Sequence, residues 1–104
     1  MGELTGKQKR HLRSLGQKLS AIAAVGKAGL TEAVLANLSA LLDQHELVKV
    51  RLGGLPPADR AALAAQIEQA TGAQCVGIVG RTALLYRANP ELDAKHRINL
   101  NSQA

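Results

Sequence analysis

The chain has 104 residues, of which 46% are apolar and a single one, Tyr86, is aromatic. This length and composition fit one domain with an aliphatic core and exclude a disordered chain, and no apolar run approaches the roughly 20 residues of a membrane-spanning helix. The formal charge of +5 gathers at the front, where residues 1–29 carry Lys7, Lys9, Arg10, Arg13, Lys18 and Lys27 against Glu3, so a polyanionic partner is the natural expectation; with no spanning run, no membrane partner is expected.

Residues 30–80 hold more acids than bases, and a smaller basic excess returns with Arg81, Arg87, Lys95 and Arg97. The opening Met1-Gly2-Glu3-Leu4-Thr5 lacks the apolar stretch of a signal peptide, which makes a cytoplasmic location the default expectation. Cys75 is the chain's one cysteine. It stands in an apolar run and reads as a small buried hydrophobe rather than a nucleophile.

Thr5-Gly6-Lys7-Gln8 has capping-box spacing. Leu12, Leu15, Leu19 and Ile22 then recur at helical intervals, and a first helix is predicted from about Thr5 to Gln17. Lys7, Arg10 and Arg13 fall on a stripe different from the leucines, so one face can pack while the other meets phosphate. Ala21 to Val25 reads as a short buried strand. Gly26-Lys27-Ala28-Gly29 is a tight turn, after which Thr31 is the expected cap of a second helix with Val34, Leu35, Leu38, Leu41 and Leu42 on one face.

Leu47, Val48, Val50 and Leu52, interleaved with Lys49 and Arg51, read as a second strand with one wet face. Pro57 opens a third helix, with Leu63, Ile67 and Ala70 inward and Gly72 at its stop. Residues 74–79 and Thr82 to Tyr86 form a hairpin across Gly80-Arg81. The order α-β-α-β-α-β-β predicts a single compact α/β domain over residues 1–90, with a mixed four-stranded sheet packed with helices. Parallel pairing by crossovers is expected, with the hairpin as one antiparallel edge. Residues 91–104 read as a polar, loosely held C-terminal tail.

The sharpest local feature is the GxxG loop. Glycines at both ends let the backbone turn tightly and approach another backbone without a Cβ in the way. The helix that follows presents free N–H groups, and Lys27 adds a charge that can reach phosphate. KH domains clamp single-stranded nucleic acid with such a loop, but there it joins two helices, whereas here it joins strand to helix. Two glycines three apart also make ordinary turns. GxxxxGK[ST] and GxGxxG are absent, and His11, His45 and His96 are too scattered for a metal site. No cofactor, no metal and no catalytic constellation is therefore expected, and His45 reads as a capping residue. With one aromatic in the chain, base stacking on rings can contribute little. Lys49, Arg51 and Arg87 could extend a phosphate path or be plain strand residues.

Three blocks, Leu4-Thr5-Gly6-Lys7-Gln8-Lys9-Arg10-His11-Leu12-Arg13, Val25-Gly26-Lys27-Ala28-Gly29-Leu30-Thr31-Glu32-Ala33-Val34 and His45-Glu46-Leu47-Val48-Lys49-Val50, resemble the CRM domain (chloroplast RNA splicing and ribosome maturation) in its bacterial stand-alone YhbY form. Val79-Gly80-Arg81-Thr82-Ala83-Leu84-Leu85-Tyr86-Arg87 resembles its closing hairpin. The resemblance implies a fold similar to the C-terminal domain of translation initiation factor three. It also implies binding to RNA, precursor large-subunit rRNA, in ribosome assembly; a monomer with ribosomal proteins as further partners is the accompanying expectation. Gly26, Lys27, Ala28 and Gly29 would contact RNA, with basic Lys7, Lys9, Arg10 and Arg13 beside them. Ala28 departs from the polar residue relatives often carry, and the segment 51–59 is Gly- and Pro-rich rather than charged. The competing reading is a protein-interaction module docking on an acidic ribosomal or RNA-processing partner. A small hydrolase is a poorer third.

Overall fold

The computed structural model describes residues 4–26, 29–53, 56–92 and 98. Its elements are α1 (Gly6–Gly16), β1 (Ala23–Ala24), α2 (Glu32–His45), β2 (Leu47–Arg51), α3 (Pro57–Thr71), β3 (Gln74–Val79) and β4 (Thr82–Tyr86), in the predicted succession. The mixed four-stranded sheet has the order β1-β2-β4-β3. β1 pairs parallel to β2, while β4 pairs antiparallel to both β2 and β3. The hairpin is therefore not an added antiparallel edge. Its return strand is inserted in the middle, and β3 becomes the edge.

Burial explains that placement. Ala83, Leu84, Leu85 and Tyr86 are all buried, as a strand covered on both faces must be. β3 ends in exposed Ile78 and Val79 and suits the rim. Side chains of β2 and β4 alternate between two cores. Val48, Val50, Leu52, Ala83 and Leu85 meet Leu38 and Leu42 of α2 and Leu63 and Ile67 of α3. Leu47, Leu84 and Tyr86 meet Leu12 of α1 on the opposite face. In α3 the inward residue beside Leu63 and Ile67 is Ala64, whereas Ala70, expected inward, is exposed. β1 is only two residues long, and the stretch 21–25 is half-exposed apart from Val25.

Helix α1 starts as predicted: the Gln8 N–H donates to the Thr5 hydroxyl, and the Gln8 side chain accepts from the Thr5 N–H. It stops at Gly16, so Leu19 and Ile22 leave the helical pattern and are exposed. Gly16 is where the helix touches the sheet. A Cβ there would lie 2.5 Å from a Leu84 methyl, so only glycine lets the backbone come this close. The Lys49 ammonium donates to the carbonyls of Gly16 and Leu19 at 3.3 and 3.2 Å, satisfying oxygens that the helix end leaves unpaired. Arg13 pins the helix to β3. The strand bulges between Cys75 and Gly77, and the Val76 carbonyl there accepts from Arg13 Nη1 at 2.9 Å.

At the far end of the sheet, Glu46 joins α2 to β2 with φ +58 and is fully buried. Its carboxylate accepts the N–H of Asn89 at 2.6 Å and of Ile98 at 2.7 Å. Within the expected tail, residues 93–97 and 99–104 lie outside the described residues. Ile98, half-buried, packs against the cluster of Leu12, Leu47 and Tyr86. His45 ends α2 and is exposed, and the capping position belongs to Glu46, whose N–H donates to the Leu42 carbonyl.

Two outcomes follow from these anchors. Lys49→Met removes the α1 cap and is expected to lower stability by about 1 kcal/mol, while Arg51→Met on the same strand shifts it by less than about 0.5 kcal/mol; urea unfolding of the two variants compares them directly. Glu46→Ala strands two donors and is expected to cost about 2–4 kcal/mol, with faster amide exchange at Ile98 as the local signature.

Candidate nucleic-acid interface

The two layers covering the sheet differ in charge. On the described residues of α1 and its continuation stand Lys7, Lys9, Arg10, Arg13 and Lys18, and the sheet face beneath adds Lys49 and Arg51, with no acid among them. The opposite layer, α2 and α3, carries Glu32, Asp43, Asp59 and Glu68 against Arg60 alone. Interspersed charges would cancel within a Debye length, about 8 Å at physiological salt. Segregated ones leave a field on one side.

The predicted residues divide by position. Lys7 and Arg10 are exposed, and neither side chain makes a hydrogen bond or ion pair among the described residues. Lys9 is half-buried. Arg13 is exposed at its flank but anchored on Val76. The Leu4 N–H reaches the Gln74 side chain at 3.4 Å, placing the start of α1 where Gln74, Tyr86 and Leu47 align. The glycine loop lies at the other end. Val25 donates to the Arg51 carbonyl, and Arg51 pairs with Thr82 beside the Gly80-Arg81 turn. The structure thus puts Lys7, Lys9 and Arg10 toward one end of the sheet and Gly26 and Gly29 at the other, with Arg13 between.

Lys27 and Ala28 lie outside the described residues. The flanks of the loop are defined. The Gly29 N–H donates to the Gly26 carbonyl at 3.0 Å, and Gly29 has φ +74, which glycine adopts without strain. Thr31 then caps α2 by accepting the Val34 N–H. Gly26 is exposed, has no positive φ, and has nothing among the described residues within 4 Å of where a Cβ would stand. Among the described residues, neither packing nor backbone conformation requires glycine at that position.

Arg87 is removed from any phosphate path. Its guanidinium donates to the Ser39 hydroxyl, the carbonyls of Ser39 and Thr71, and the Asp43 carboxylate, so it ties α2 and α3 to the end of β4. Lys49 is likewise committed to the end of α1. Arg51 stays exposed. Tyr86 is buried, leaving no aromatic face for a base. Cys75 packs against the α2–α3 core, and burial pushes its thiol up from the ordinary value, with the nearby Glu68 carboxylate adding to the effect.

One part of this face was not legible in the spacing of charges. Beyond the last turn of α1 the sheet is uncovered, leaving a cleft of about 240 Å³ lined by Arg13, Gln17, Lys49, Gly77, Val79 and Thr82. Glycine inside a strand pattern signals a bulge or a close approach, and Gly77 was the available clue: its missing Cβ makes room for the Arg13 stem, which would otherwise be met at 2.9 Å.

Comparison with known proteins agrees with this architecture. A candidate RNA-binding protein of Pseudomonas aeruginosa is 40% identical over 88 residues, covering 85% of each chain. An RNA-binding protein of Haemophilus influenzae is 35% identical over 91 residues, 88% of this chain and 92% of that one. The solution structure of a candidate RNA-binding protein from Staphylococcus aureus superposes with a TM-score of 0.78 at 34% identity, covering 88% of this chain and 95% of the other. Residues 4–87 match the model of one family throughout, and the chain belongs to it: the CRS1/YhbY (CRM) domain family.

Proposed function

We propose that the chain binds RNA through the basic α1 layer and the Gly26–Gly29 loop, and that it acts without catalysis in assembly of the large ribosomal subunit. Its ligand in this reading is precursor rRNA in the cytoplasm, bound by a monomer with ribosomal proteins as neighbours. The observation that carries the proposal is the segregation of charge among the described residues of the two helical layers, with Lys7, Arg10, Arg13, Lys18 and Arg51 on one and Glu32, Asp43, Asp59 and Glu68 on the other. A ribose-phosphate chain is the polyanion such a face attracts, at a range that salt shortens.

Three further points support it. The relatives from Pseudomonas and Haemophilus are named for RNA binding. No described residue requires glycine at position 26, which fits a backbone approaching from outside. The buried Tyr86 leaves phosphate contacts, peptide surface and the shape of folded RNA as the means of recognition.

Replacing Lys27 and Ala28 together by Asp is expected to weaken RNA binding at least about tenfold, because each carboxylate repels phosphate, with thermal unfolding nearly unchanged. Filter-binding titrations across a salt series measure this. If about four phosphates are neutralised, log K falls with log salt at a slope near −3 on single strands. An unaltered affinity in the variant removes the loop from the mechanism.

Changing Lys7 and Arg10 to Glu tests the helix without disturbing the Arg13 anchor. The doubly substituted protein is expected to leave large-subunit precursors in a sucrose gradient. Persistent co-sedimentation would point to a protein partner on the acidic side of the assembly instead.

A further inference from the structure

The cleft at the end of α1 has a composition unlike the rest of the basic face. Its floor is apolar and flat, with Gly77 and Leu84 paired across β3 and β4 and Val79 paired with Thr82. Its rim is polar and cationic, with Arg13, Gln17 and Lys49 on the helix side and the Thr82 hydroxyl opposite. Val79 is 75% exposed, an unusual state for a valine in a strand. From the cleft a row of sheet residues runs toward the glycine loop. Val79 pairs with Thr82, Thr82 with Arg51, and Arg51 with Ala24, two residues before Gly26. At about 4.8 Å per strand this row is about 14 Å long.

We infer that this cleft seats one unpaired nucleobase of the bound RNA, with the attached backbone crossing Arg51 toward Gly26. The inference deepens the RNA-binding proposal and rests on it. The occupant follows from complementarity. The volume is below the roughly 300–1,000 Å³ of ordinary small-molecule pockets, and it opens onto a surface where cations stand without acids. A planar group with an apolar face, a polar edge and an attached anion meets each of these conditions. Rings are not needed to hold it, since bases also stack on Arg guanidinium planes. Arg13 is suited to that role because its Val76 bond and its stem on Gly77 fix the side chain beside the cleft. The Gln17 amide offers a donor and an acceptor to a base edge, and the Thr82 hydroxyl, whose hydrogen goes to the Val79 carbonyl at 2.9 Å, offers an acceptor. An added Cβ and methyls at Gly77 would enter the space from the floor and displace Arg13.

The test uses a short stem–loop RNA with unpaired loop nucleotides, made with an abasic residue at each loop position in turn. Fluorescence anisotropy on the wild-type protein is expected to find a position at which losing the base weakens binding at least about fivefold. In Gly77→Val that sensitivity is expected to vanish, the two changes being non-additive as a direct contact requires. Contacts in the unaltered protein are read independently, as NOEs from the Val79 and Leu84 methyl protons to base protons. If the stem–loop binds but no position is sensitive, or the sensitivity persists in Gly77→Val and the NOEs are absent, the base site is wrong while RNA binding stands. If the wild-type protein fails to bind the RNA at low salt, both the base site and the RNA-binding proposal fall.

Discussion

A central strand buried on both faces has to be covered from both sides, and the two covers here are unequal. α2 and α3 span the sheet with 14 and 15 residues, whereas α1 has 11 and reaches about 16 Å. That shortfall governs the surface. α1 buries Leu84 and Tyr86 but ends before the row that contains Arg51, Thr82 and Val79, so the sheet emerges into solvent there. Lys49 and Gly16 set the stopping point: the glycine allows contact with Leu84, and the ammonium takes the carbonyls left over. A longer helix would have covered the cleft.

The chain's cations divide into those that hold the fold, on either layer, and those left available on the basic one. Lys49 and Arg87 are committed to backbone oxygens, and Arg87 also to Asp43. Hydrogen bonds from charged donors are stronger than neutral ones, so these side chains contribute more as braces than as steering charges. Arg13 does both, since one nitrogen satisfies the bulged Val76 carbonyl and the rest of the group borders the cleft. Lys7, Arg10 and Arg51 stand exposed to solvent. A count of positive residues cannot make this division, because the partners of Arg87 lie from 16 to 48 residues away in the chain.

The carboxylate of Glu46 plays the complementary part at the opposite end of the sheet. It is an acid in a fully buried position, made tolerable by the N–H groups of Asn89 and Ile98. Through it the stretch after β4 returns to the core beneath α1. Among the described residues, Glu32, Asp43, Asp59 and Glu68 stand on the α2–α3 layer and Glu91 follows β4, while Glu46 is shielded from the basic face by burial.

Local chemistry in the sequence determined the elements and their order. The Thr5–Gln8 capping box, Thr31, Gly72 and the Gly80 turn act over a few residues, and the helices and hairpin start and stop where those signals stand. The family blocks were equally legible, because they are contiguous. Tertiary structure alone decided that β4 enters the sheet between β2 and β3, that Leu19 and Ile22 fall outside α1, that Arg87 and Lys49 are internal braces, and that a cleft opens over Gly77. Each of these depends on which distant segments compete for the same buried surface, and hydrophobic burial is non-directional and blind to separation along the chain.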